Sequence, residues 1–231
     1  MKSTEYYRLN RFLLLSFFLL IGSYSFAQLH DSGGIGAVSL SKKFNSYIKL
    51  DLEQELRFDR NFSSLKRSGT MVGGEFTILP GTLSAELDYF LFYRRATANT
   101  YEFTHRFAAG LVGTYHLGDF IFKLRTRAQS TLLDGEHPEN KFNPKYVWRN
   151  RLAVEYPIAN TAFTPHVSAE SFTPLSGSNN AFFVRYRLIA GTKYKLNKAS
   201  SLNGYLRFDQ AVNVVSPTNI LYIAIGYHYD L

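Results

Sequence analysis

Residues 47–58 read Tyr-Ile-Lys-Leu-Asp-Leu-Glu-Gln-Glu-Leu-Arg-Phe. The even positions are Ile48, Leu50, Leu52, Gln54, Leu56 and Phe58. The odd positions are Tyr47, Lys49, Asp51, Glu53, Glu55 and Arg57. Successive side chains of a strand point to opposite faces, so this stretch is a strand with one oily face and one charged face. At twelve residues it is longer than the ~5–6 of an ordinary soluble strand.

The same alternation recurs along the chain. It is clear in residues 83–93, 120–130, 146–156, 182–194 and 221–231, and weaker in 35–43, 70–79, 103–117, 161–172 and 202–214. That gives eleven candidate strands, and no segment after residue 30 carries a helical period. Short turns fall at 44–46, 80–81, 118–119, 157–160 and 197–199. Longer polar connections fall at 59–67, 95–100, 132–145, 173–181 and 213–218. Aromatics on the oily faces gather at both ends. Tyr115, Phe120, Tyr156, Phe163, Tyr194 and Tyr227 lie by the short turns; Phe58, Tyr93, Phe103, Trp148, Phe182 and Phe208 lie nearer the long connections. Two aromatic bands, long loops at one end and tight turns at the other are the pattern of an outer-membrane barrel with its turns in the periplasm. The expected fold is all-β: an up-and-down antiparallel transmembrane β-barrel of about 10–12 strands. The competing reading is a soluble periplasmic barrel or sandwich, whose oily faces would point inward.

Eleven strands is an awkward number. The first and last candidates run in the same direction and cannot close antiparallel. The expectation is therefore twelve strands, with a short extra one within residues 28–34, or ten, with the first strand outside the ring.

Residues 1–27 read as an address. Lys2, Arg8 and Arg11 precede the apolar run 12–22, and Ser25 and Ala27 supply the small residues of a cleavable Sec signal peptide. Cleavage after Ala27 leaves 28–231 as the barrel. It removes three bases and one acid, so the formal net charge falls from +8 to +6. No Lys/Arg cluster resembles a nucleic-acid stripe, so nucleic acid is not an expected partner. The expected partners are outer-membrane lipid and, during biogenesis, the barrel assembly machinery, which would engage the aromatic-rich final strand. The chain has no cysteine, which excludes disulfides and thiolate metal sites.

The run from Lys42 to Phe58, a Lys-Lys-turn followed by a leucine ladder and Glu-x-Arg-Phe, is similar to the start of a domain-of-unknown-function family of outer-membrane β-barrel proteins found mainly in Bacteroidetes. The tyrosine-rich strands and a strand ending at Leu231 agree with it. The first strand lacks the tryptophan that relatives often carry. The resemblance implies a fold and a location, and no catalytic residues.

Polar residues converge only on the charged faces. Arg125 and Arg127 fall on the strand next to the one bearing Arg149 and Arg151. Four guanidiniums on adjacent lumen walls form a candidate anion-attracting cluster, since the arginine fork matches carboxylates and phosphates. The plainer alternative is a structural ladder with Glu155 and Glu102. A turn at 80–81 sets Glu75 opposite Glu86, and a turn at 197–199 sets Arg187 opposite Asp209. The histidines, including His137 among the acids of the 132–145 loop, have no metal-motif spacing, and no Gly-x-Ser-x-Gly occurs. No catalytic residue, metal or cofactor is expected. The expected role is structural or a narrow passage for small solutes. The alternatives are a barrel enzyme acting on lipid or peptide, and a soluble binding protein.

Overall fold

The computed structural model describes residues 31–97, 100–134, 145–175, 182–214 and 217–231. The expected signal peptide and its cleavage site, and the loop segment around His137, lie outside the described residues. All eleven candidate strands form: β1 (Asp31–Lys43), β2 (Ile48–Asp59), β3 (Ser64–Leu79), β4 (Leu83–Arg95), β5 (Tyr101–Leu117), β6 (Phe120–Asp134), β7 (Lys145–Glu155), β8 (Phe163–Pro174), β9 (Arg185–Lys195), β10 (Ser200–Ala211) and β11 (Asn219–Asp230). Each pairs antiparallel with the next in sequence, and the ring is closed.

The closure departs from both expected solutions. β1 and β11 pair directly and in parallel, from Asp31↔Ile220 to Ser41↔Asp230. An up-and-down ring with an odd number of strands has its first and last strands pointing the same way, so a parallel seam is its only closure. Residues 31–34 lengthen β1 rather than forming a strand of their own. The seam continues beyond the ladder, where the Leu231 amide donates to the Ser41 carbonyl at 2.8 Å.

The oily faces point outward. Ile223 and Ile225 on β11 are 58% and 61% exposed, whereas Ala224 between them is 5% exposed and packs inside against Ile35 and Tyr222. Leu50, Leu52, Val72, Leu87, Leu124, Leu152, Val167 and Leu206 are likewise exposed, while Arg57, Arg125, Arg127, Arg149, Arg207 and Glu170 are buried. An apolar exterior around a charged lumen is the polarity of a membrane-spanning barrel, and it is the reverse of the soluble alternative. Outward aromatics pair across strands near both ends. Phe120–Tyr156 and Phe163–Tyr194 lie by the short turns, at ring separations of 4.9 and 4.8 Å. Tyr93–Phe103 lies at the other end, at 5.2 Å.

Several connection bounds shift from expectation, among them the 157–160 turn, which spans 156–162, and two shifts bear on the lumen. The β2–β3 connection is only residues 60–63, because β3 begins at Ser64. The polar run through Lys66 and Arg67 belongs to a strand whose polar side chains face the lumen, with a bulge at Arg57/Phe58 disturbing its alternation. In that tight loop Arg60, Asn61 and Phe62 all adopt positive φ. The Asp31 carboxylate accepts from the Arg60 and Asn61 amides, each at 3.0 Å, and fixes the loop to the start of β1. The 80–81 turn has three residues, 80–82. A register shift between Thr77 and Leu79 compensates, so Glu75 still faces Glu86.

Candidate functional site: the arginine-lined lumen

Parity of the strands places Arg125 and Arg127 of β6 and Arg149 and Arg151 of β7 on the lumen face. The register sets Arg125 opposite Arg151 and Arg127 opposite Arg149. The four are brought together as expected, but the acids that meet them differ from those expected. Glu155 takes Lys123 and Lys193 instead, and Glu102 takes Arg94.

The arginines find their acids through two rungs of the sheet. Along one, Arg125, Arg151, Glu170, Arg187 and Asp209 are successive neighbours on β6 to β10. Glu170, 4% exposed, accepts from Arg125 at 2.9 Å, Arg149 at 2.9 Å and Arg187 at 3.0 Å. Asp209 accepts from Arg187 at 2.7 Å and Arg207 at 2.9 Å, so the expected Arg187–Asp209 pair forms. Along the other rung, Glu86, Gly110 and Arg127 are neighbours on β4, β5 and β6. Gly110 carries no side chain between the two charges, and Arg127 reaches over it to Glu86 and, at 2.7 Å, to Asp88. A Cβ on Gly110 would stand 2.7 Å from the Thr126 carbonyl oxygen. Glu75 and Glu86 face each other but do not share a proton site, since Glu75 is paired with Lys49 at 3.0 Å.

A second feature escaped the sequence reading. Three lumen aromatics each hold at least two guanidiniums within cation–π range, and Phe172 holds a third, Arg185, at 5.7 Å. Phe92 lies 4.2 Å from Arg67 and 4.7 Å from Arg106. Phe172 lies 4.8 Å from Arg149 and 4.9 Å from Arg187. Tyr222, 1% exposed, lies 5.3 Å from Arg57 and 5.4 Å from Arg207. Glycines leave room for two of these rings: a Cβ on Gly69 would stand 2.6 Å from Phe92, and one on Gly33 would stand 2.9 Å from Tyr222. The signal was present in the chain, because Phe92 falls on the same strand face as Ser84, Glu86 and Asp88, out of phase with the oily alternation.

Together these residues wall a cavity of about 810 Å³. Fourteen Arg or Lys side chains and seven Asp or Glu side chains line it, a surplus of seven positive charges. At the short-turn end of the lumen a different group meets across the seam. Ser39 Oγ lies 2.9 Å from His228 Nδ1, and His228 Nε2 lies 3.2 Å from Asp230 Oδ1. The strand amides beside this Ser–His–Asp line belong to the sheet ladders on both sides of β11. Among the described residues, no group of three or more His, Asp or Glu side chains is placed to hold a metal ion.

Fold and lumen together define a membrane-spanning β-barrel with an arginine-rich interior. The chain belongs to the family of proteins of unknown function designated DUF2490, whose pattern matches residues 36–213. No curated protein matches it. Among solved structures it is similar to the NanC porin, at 12% identity and a TM-score of 0.49 over 78% of this chain and 87% of that one. It is also similar to the translocator domain of autotransporter NalP from Neisseria meningitidis, at 12% identity and a TM-score of 0.41 over 78% of this chain and 73% of that one.

Proposed function

We propose that the protein is an exported outer-membrane barrel that gives small anionic solutes a narrow passage and performs no chemistry on them. The observation that carries this reading is the surplus of seven positive charges on the wall of the lumen cavity. A low-dielectric wall lined by one sign of charge raises the local concentration of the opposite ion. The apolar exterior and the paired aromatics at its two ends support an outer-membrane location. Export follows from residues 1–27 acting as a cleaved signal peptide. Membrane lipid then surrounds the barrel, and the assembly machinery engages β11 during insertion. The likeness of residues 42–58 to Bacteroidetes barrels supports a source in that group.

The test is a planar-bilayer measurement on the chain from Gln28 onward under a potassium chloride gradient. The expected reversal potential has the sign of anion selectivity. Cation selectivity, or the absence of any current, overturns the reading.

The Ser39–His228–Asp230 line favours a second reading, a barrel hydrolase. It counts for less because acyl transfer needs preorganised donors for the oxyanion, and the neighbouring amides are spent in the sheet. Phospholipid or peptide turnover that is lost on Ser39→Ala would move this reading to the front.

A further inference from the structure

We infer that the lumen contains a discrete binding site for a small oxyanion of the carboxylate or phosphate type, centred on Arg106; the inference rests on the anion-passage reading above. Two lumen carboxylates are each shared among several cations. Glu55 accepts from both Arg57 and Arg67, at 2.9 and 2.8 Å, and Glu170 serves three guanidiniums. Arg106, like Arg151 and Arg185 on the same cavity wall, has no ion pair among the described residues. Its Nε donates to Thr131 Oγ1 at 3.2 Å, and the Phe92 ring holds its guanidinium at 4.7 Å. Among the described residues no carboxylate lies within salt-bridge distance of it, and its two terminal nitrogens have no acceptor. Besides burial, the strongest influences on it are the charges of Arg67, Arg149, Arg57 and Arg187, all cations.

An arginine does not relieve such a position by losing its proton. A half-buried cation among other cations is unfavourable until an anion meets it. The guanidinium presents two parallel N–H bonds, which match the paired oxygens of a carboxylate or phosphate. Chloride, a single sphere, satisfies that fork less well. The ring post matters here: Phe92 holds the Arg106 guanidinium at 4.7 Å and so reduces the freedom it loses when an anion binds. The site therefore prefers oxyanions to halide, and it saturates.

The experiment uses the chain from Gln28 onward in planar bilayers, with current carried by chloride. Inorganic phosphate and citrate are titrated in separate arms at constant ionic strength. The expected result is a saturable block in at least one arm, and the arm that saturates identifies the oxyanion. Arg106→Gln should raise the half-blocking concentration about tenfold or more, the usual scale for losing a charge-assisted pair, with anion selectivity retained. Arg106→Lys keeps the charge but loses the fork, and should also weaken the block. Lys193→Gln, the same change of charge outside the cavity, should leave it unaltered. A wild-type barrel without anion selectivity overturns the passage reading. Anion selectivity with no saturable block, or a block indifferent to Arg106, overturns the site alone. Should the wild type carry no current, the passage reading falls and a second readout decides the site: the heat-modification midpoint in detergent. A phosphate- or citrate-dependent rise lost in Arg106→Gln and retained in Lys193→Gln upholds the site, and its absence overturns it.

Discussion

Glu170 is the residue on which the lumen's charge balance turns. It is buried, and its two oxygens accept from Arg125, Arg149 and Arg187. Its removal leaves Arg149 with no carboxylate among the described residues, while Arg187 keeps Asp209 at 2.7 Å and Arg125 keeps Glu86 at 3.9 Å. Breaking a buried pair from one side typically costs about 3–5 kcal/mol. Glu170→Ala should therefore lower barrel stability by that order, read as a lower denaturant midpoint for the folded, fast-migrating form on gels. At this scale the sequence was partly legible. Parity and turn counting put Arg125, Arg127, Arg149 and Arg151 on adjacent lumen walls and set Arg187 beside Asp209. The acids that neutralise Arg127 stayed hidden, because they lie two strands away and are reached only across Gly110. Contacts of that reach depend on which side chains are missing in between, which a period-two reading does not register. Phe92 and Tyr222 were hidden for a related reason: an aromatic on a polar face reads as a lapse in alternation until its neighbouring guanidiniums are known.

At the scale of elements, each strand separates a lipid face from a lumen face, and β11 separates them most sharply. Arg at Ile225, which is 61% exposed on the outer face, should cost roughly 2–4 kcal/mol if that position lies near the bilayer midplane. Ala224 does not offer the matching lumen control. It is packed against Ile35 and Tyr222, so a long side chain there would be resisted by crowding as well as by the nearby arginines. Ser201→Arg is the cleaner comparison. It faces the lumen near the short-turn end, opposite His228, and should cost well under the outer-face value. Folding yield into lipid vesicles for the two variants checks this, and tolerance of Ile225→Arg with failure of Ser201→Arg would reverse inside and outside. All eleven strands were legible in the alternation, because every one of them separates two environments. Their ends were less so. Lys66 and Arg67 resembled loop residues because a bulge and a charged lumen face make the start of β3 as polar as a loop.

For the whole molecule, the parallel seam has a consequence for topology. With eleven strands, the start of β1 sits at the end holding the β2–β3 and β10–β11 connections, and Leu231 sits at the opposite end. With the short turns in the periplasm, an epitope tag placed between His30 and Asp31 should be reached by antibody on intact cells. A tag after Leu231 should be reached only once the outer membrane is opened. The odd count was visible in the sequence, but its resolution was not. The alternation shows that a strand has two faces and says nothing about which strand lies beside it, so the pairing of β1 with β11 is a long-range fact that no local pattern encodes.

That pairing is also the claim most open to direct measurement. A Cβ built on Gly226 stands 4.0 Å from the Ala37 Cβ across the seam, within the roughly 3.5–4.5 Å that a disulfide spans. The chain has no cysteine of its own, so Ala37→Cys with Gly226→Cys introduces the only thiols. Mild oxidation of the folded double variant should join residues 37 and 226 within one chain in high yield, seen as a mobility shift that reductant reverses. The pair Ala37→Cys with Tyr222→Cys, four residues out of register, should not join. A ring of ten strands that excludes β1, or one of twelve with another strand in the seam, separates residues 37 and 226. Absence of the crosslink in the correctly folded double variant would contradict the eleven-stranded barrel.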